Sequence, residues 1–216
     1  MANIYYYYYA AELIALLVGS YFFKALRKNF LYLYIFVVVG VLTESWNILD
    51  IKLGSQNNLI ATHLYCPLEF LLLALFYIPH LTPVLKKKWL YWIITGYMTF
   101  ALVNPFFIQS LNEYSQMRIY SSIILVIFSL VYFYRLMNEL KIGKLSAEPM
   151  VWINASVLIF YSVIFFYNIL FNKLLEYSRE VLIIIAILIG IFTALFYLLI
   201  AIGFWKAGKQ NKMISA

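Results

Sequence analysis

The sequence is poor in the residues that most often do chemistry: one cysteine, two histidines and nine acidic side chains among 216 residues. A single cysteine excludes an internal disulfide and a thiolate metal cluster, and Cys66, set in an apolar run, reads as a small buried hydrophobe. Two histidines fall short of the three protein ligands common at catalytic zinc. Because His80 lies next to a basic loop, a zinc site would have to be built from His63, Glu44 and Glu69. No G-x-S-x-G elbow marks a serine hydrolase, and no glycine-rich loop marks a phosphate cradle. The last apolar stretch has no lysine between residues 183 and 205, which excludes a retinal-binding protein. Neither a metal nor a cofactor is expected. Charge is scarce as well: 12% of the residues are charged, against about 25% in a soluble domain.

What is present is apolar length. Hydrophobic residues make up 65% of the chain and the mean hydropathy is +0.88. Crossing a bilayer takes about 20 predominantly apolar residues in a helix. Seven stretches qualify, at about 4–23, 30–49, 59–79, 89–108, 117–134, 150–171 and 181–205. The fold expected is an all-α, seven-helix transmembrane bundle forming one domain over 1–216, with short polar connections, no internal repeat and no room for a soluble catalytic domain. The first stretch has no basic segment before it and no small-residue cleavage site after it, so it is expected to remain as a helix rather than be removed as a secretory signal. Its run of tyrosines from Tyr5 to Tyr9 suits an interfacial belt.

Basic residues near helix ends are retained on the cytoplasmic side. Lys24, Arg27 and Lys28 follow the first stretch, Lys86 to Lys88 the third, Arg135, Lys141 and Lys144 the fifth, and Lys206, Lys209 and Lys212 the seventh. Those are twelve of the sixteen; the opposite face receives Lys52, Arg118, Lys173 and Arg179. The split predicts an N-terminus outside, a C-terminus in the cytoplasm and residence in a bacterial inner membrane. The net charge of +7 then reads as topology and attraction to anionic lipid, not as a nucleic-acid surface, which would need a basic face on a soluble module.

Ionisable groups in hydrocarbon are costly, and they usually face the bundle interior and mark a site. Glu44, Asn47 and Asp50 follow one another at intervals of three residues near the outer end of the second stretch, on one helical face. The third stretch opens with His63, Tyr65 and Glu69, the fourth ends with Asn104, the fifth opens with Arg118 and Tyr120, the sixth reaches Tyr161, Tyr167 and Asn168, and Glu12 lies in the outer half of the first. The inner half is nearly apolar apart from Asn154, Ser156 and Thr193. A polar cavity opening outward is therefore expected, lined by Glu44, Asn47, His63, Tyr65, Glu69, Arg118 and Asn168. The bland alternative is interhelical hydrogen bonding, with Arg118 paired to Glu44 or Glu69. Asp50, Glu113, Arg179 and Glu180 read as groups that simply reach the headgroup region. Pro67 is expected to bend the third helix and to leave a carbonyl near His63 or Glu69 without its donor.

The strings Thr43-Glu44, His63-Leu64-Tyr65-Cys66-Pro67-Leu68-Glu69-Phe70, Trp152-Ile153-Asn154 and Ala201-Ile202-Gly203-Phe204-Trp205 resemble an uncharacterised family of small seven-helix membrane proteins of Bacteroidota. Genes of that family can accompany sensor histidine kinases, so the resemblance implies a signalling role; it supplies no catalytic residues. Three functions fit the residues. The first is a sensory or ligand-binding module: a small molecule or lipid headgroup enters the outer cavity, and a change in helix packing reaches a cytoplasmic protein through the basic loops. The second is an oligomeric effector or pore accessory to an antiviral system. The third is an intramembrane enzyme acting on lipid through Glu44, His63 and Glu69. Membrane lipids are partners in all three, and a homo-oligomer in the second.

Overall fold

Where no water reaches the backbone, a chain this apolar can satisfy its amides only within helices. In the computed structural model the described residues of the chain form seven long helices. They are α1 (Ala2–Tyr21), α2 (Lys28–Lys52), α3 (Leu59–Leu81), α4 (Lys87–Phe107), α5 (Met117–Glu139), α6 (Pro149–Leu174) and α7 (Arg179–Ile214). The structure describes residues 2–26, 28–53, 59–109, 116–139, 145–174 and 177–214. Arg27, the 54–58 connection, Glu113, Lys141, Lys144 and the side chains of Lys28 and Lys212 lie outside the described residues. Among the described residues six helices, α2 to α7, are long and apolar enough to cross a membrane, and the chain is a multi-pass membrane protein.

Two helices, α5 and α7, run farthest past the apolar stretches that mark them. α5 continues past Tyr134 to Glu139, so Arg135 is helical and forks onto Glu139 one turn on, at 2.7 and 3.1 Å, while also donating to the His80 carbonyl at 2.7 Å. α7 continues past Trp205, which places Lys206 and Lys209 on helix rather than on a loose tail. Apolarity ends where hydrocarbon ends, but Lys, Arg, Glu, Leu, Met, Ala and Gln sustain a helix in the headgroup region equally well.

Six helices close a ring in the order α1, α2, α3, α5, α6, α7 and back to α1, and α4 packs outside it against α3 and the edge of α5. Close approach is set by small residues. A Cβ on Gly203 of α7 would lie 2.5 Å from the Ile153 side chain of α6, and one on Gly208 would overlap the Phe22 ring. Gly96 of α4 faces open space. The ring interior is filled by rings: Phe160 stacks on Phe196 with centroids 4.5 Å apart, and Phe36 meets Phe196 edge-on at 5.9 Å, all three buried. The Tyr77 hydroxyl donates to Asn154 Oδ1 at 2.6 Å, Asn154 Nδ2 donates to the Ser129 carbonyl at 3.1 Å, and Ser129 Oγ donates back to the Asn154 carbonyl at 3.0 Å. Asn154 thus clamps α3, α5 and α6. Ser156 and Thr193 instead bond to carbonyls of their own helices.

Candidate functional site

Two polar layers lie toward the end of the bundle where α1, α3, α5 and α7 begin. The deeper one centres on Glu69, 4% exposed. Its carboxylate accepts from Arg118 Nη2 at 3.2 Å and from the Tyr161 hydroxyl at 2.6 Å, which ties α3 to α5 and α6. The Arg118 guanidinium also stands 6.0 Å from the Tyr65 ring centre. The carbonyl of Arg118 accepts from the hydroxyls of Ser121 and Ser122, at 3.1 and 2.6 Å. In hydrocarbon a carboxylate and a guanidinium stabilise one another only when both are paired and hydrogen-bonded, and here Glu69 has both kinds of partner.

In the second layer Glu12 of α1, 3% exposed, lies beside Tyr197 of α7, and Tyr197 beside Tyr65 of α3, which is one turn outward of Glu69. These groups pass over Gly40 of α2, where a Cβ would overlap the Glu12 carboxylate and come within 2.8 Å of the Tyr197 hydroxyl. One turn farther out on the same face as Gly40 lies Glu44. Its Oε1 accepts from the Tyr8 hydroxyl at 2.6 Å and its Oε2 from Asn47 Nδ2 at 3.4 Å, while Tyr9 and Ser45 join at 2.9 Å beside them. The tyrosine run therefore divides: Tyr6 and Tyr7 are exposed, as a belt requires, whereas Tyr8 and Tyr9 fasten α1 to α2.

Of the residues singled out in the sequence, Tyr65, Glu69 and Arg118 come together, and Glu44 and Asn47 form a second pair. The open choice of partner for Arg118 falls to Glu69. His63 is buried on α3, and Pro67 removes the helical donor to its carbonyl while α3 runs on as a helix through both Pro67 and Pro79. Asn168 is buried and bonds through Nδ2 to the Ile164 carbonyl of its own helix at 2.6 Å; its Oδ1 has no hydrogen-bond partner. Cys66 is a free thiol with no exposure. Asp50 is half-buried at the end of α2, and Arg179 and Glu180 are exposed at the start of α7.

Sequence reasoning did not assign Glu12, Gly40, Tyr8, Tyr161 or Tyr197 to the site. The register carried a signal for them, since Gly40 lies one turn before Glu44 and Tyr161 two turns before Asn168 on common faces. Among the described residues no three His, Cys, Asp or Glu side chains gather to hold a metal ion. The arrangement offers instead carboxylates, hydroxyls and one guanidinium facing a ring interior, a chemistry of hydrogen-bonded recognition. Comparison with protein-family models, with curated proteins and with solved structures finds no match to this chain.

Proposed function

We propose that the chain spans a bacterial inner membrane seven times, with the start of α1 outside and the end of α7 in the cytoplasm. In this reading it is a sensory module whose outer polar layers receive a small molecule or lipid headgroup. The observation that carries the reading is the confinement of Glu12, Glu44, Glu69 and Arg118 to one end of the ring, above an interior closed by Phe36, Phe160 and Phe196. Buried and half-buried polar groups from six helices, stacked at one end of the ring, form a joint that a ligand can repack, and every helix of the ring would register the change. A cytoplasmic protein would read it at the basic end, where Lys209 lies 4.2 Å over the Trp205 ring and Lys206 lies 5.6 Å from that of Trp152. Such Lys–Trp contacts suit a headgroup boundary and support the orientation. The strings that carry the resemblance to seven-helix proteins of Bacteroidota supply Glu44, His63, Tyr65 and Glu69 of the outer layers, in keeping with a signalling role. A pore within one protomer fits poorly with the aromatic interior, and an effector of that kind would have to conduct between protomers.

Orientation is checked by cysteine labelling in a Cys66→Ala background: Leu53→Cys labels from outside and Lys87→Cys from the cytoplasm, and same-side labelling contradicts the topology. Function is checked by mass spectrometry of protein purified with its surrounding membrane. A bound molecule is expected to be retained by the wild type and lost from Glu44→Gln, with the melting temperature of that variant nearly unchanged because Gln keeps an acceptor for Tyr8. Equal retention by both proteins would remove Glu44 from the site.

A further inference from the structure

Among the described residues the outer end of the ring holds one buried acceptor that meets no donor, Asn168 Oδ1, and its place has a geometry. Asn168 follows Tyr161 by seven residues, so it lies on the same face of α6 about 10 Å farther out. That face points into the ring, because Tyr161 reaches Glu69 of α3 from it. Asn168 is 8% exposed, and its Oδ1 is a buried acceptor with no hydrogen-bond partner. Leaving such a group unmet in hydrocarbon is unfavourable, and a native protein tolerates it where something else supplies the donor. Across the ring α2 stands opposite α6, three helices away in either direction. Glu44 projects from the α2 face that Gly40 turns toward Glu12 and Tyr197. It lies about 6 Å outward of Gly40, toward the same end of the ring as Asn168. One turn below Glu44, Glu12 and the Tyr197 hydroxyl meet at Gly40, with Tyr65 next to Tyr197.

The charges are unequal. Glu69 is matched by Arg118, whereas among the described residues Glu44 meets only the neutral donors Tyr8 and Asn47. A carboxylate on one wall, an unmet carbonyl oxygen on the other and tyrosine rings below call for a ligand that donates, bears positive charge and tolerates an aromatic surface. A guest carboxylate or phosphate would add acceptors to acceptors. A hard metal ion would seek six or more oxygens, with no use for the rings.

We infer that the space between Glu44 and Asn168, outward of Tyr65 and Tyr197, receives the ammonium group of a primary amine, carried by a free molecule or by a phosphatidylethanolamine headgroup. This rests on the ligand-binding reading and names its ligand. Three N–H donors divide between the Glu44 carboxylate, Asn168 Oδ1 and solvent, and the positive charge balances Glu44.

The test is thermal unfolding of the full chain in phosphatidylcholine nanodiscs, titrated with ethanolamine hydrochloride against sodium chloride, choline chloride and sodium acetate at equal ionic strength, and repeated in nanodiscs containing phosphatidylethanolamine. A saturable rise in melting temperature with ethanolamine identifies a free amine, and a rise only in phosphatidylethanolamine identifies the headgroup; either supports the inference. Choline, which lacks N–H donors, is expected to bind about tenfold more weakly or worse, and Glu44→Gln and Asn168→Leu to lose affinity by a similar factor. Leucine removes an oxygen that bonds to nothing and an Nδ2 bond to the Ile164 carbonyl, which keeps its helical donor, so Asn168→Leu should melt close to the wild type without amine; should it fail to fold, Glu44→Gln carries the comparison. Unchanged affinity in the variants, or no rise with either amine source, overturns the ammonium assignment. Bound density of another chemistry in the native-membrane protein would then leave the ligand-binding reading standing.

Discussion

Arg118→Leu lowers the unfolding free energy by about 3 kcal/mol, and adding Glu69→Leu restores most of the loss. Removing one member of a buried pair costs about 3 to 5 kcal/mol because the other charge is left in an apolar medium. The side chain of Glu69 is 5% exposed and that of Arg118 is 19%, so the guanidinium is partly hydrated and the lower end of that range applies. Replacing both members removes the stranded charge. About 1 kcal/mol of the loss should persist, because the Tyr161 hydroxyl, which donates to Glu69 at 2.6 Å, then has no acceptor. Reversible unfolding in bicelles across the double-mutant cycle measures this coupling. Arg118→Leu within about 1 kcal/mol of the wild type would mean a hydrated pair, not a joint between helices.

Gly40→Val costs a similar amount, about 3 to 4 kcal/mol, for a different reason. Any Cβ there overlaps the Glu12 carboxylate and crowds the Tyr197 hydroxyl, so the side chain must push apart the polar groups that α1 and α7 bring together over Gly40. Overpacking costs about 1 to 3 kcal/mol and a buried polar group left unpaired about as much again. Gly96→Ala is the control. Its Cβ enters open space, so it should be neutral or stabilise by up to about 1 kcal/mol through helix propensity alone. If Gly40→Val melted like Gly96→Ala, the layer over Gly40 would not be packed as described.

The helices were legible in the sequence because hydrocarbon imposes one length and one backbone solution, and among the described residues six of the seven stretches return as helices long and apolar enough to cross a membrane. Their ends were less so, as α5 and α7 show, because hydropathy marks where the bilayer stops and not where the helix does. The exclusion of α4 from the ring left no trace in composition, since a helix facing lipid and one facing its neighbours are similarly apolar. In the site, Glu44, Glu69 and Arg118 stood out because a charge in a membrane is conspicuous wherever it points. Their pairing did not, because Glu44 and Glu69 are equivalent partners until helix packing places α5 beside α3. Tyr197 was hidden by abundance: among 20 tyrosines it looks no different from a belt residue until the Glu12 carboxylate is found beside its hydroxyl, whereas Tyr161 was counted among the outer polar groups but not as a partner of Glu69. Asn168 was named for its type, yet the distinguishing fact, an Oδ1 buried without a donor, exists only in three dimensions.

The central claim is that the outer polar layers form a ligand site and not only a set of mutual hydrogen bonds. A high-resolution density map of the protein extracted with its native lipid, inspected between Glu44 and Asn168 above Tyr65 and Tyr197, tests it most directly. Density for a molecule or headgroup in contact with Glu44 and Asn168 is the result expected. A dry cluster closed on itself, with Asn168 Oδ1 meeting only protein and no foreign density beside Glu44, would make these residues interhelical pairing and contradict the account.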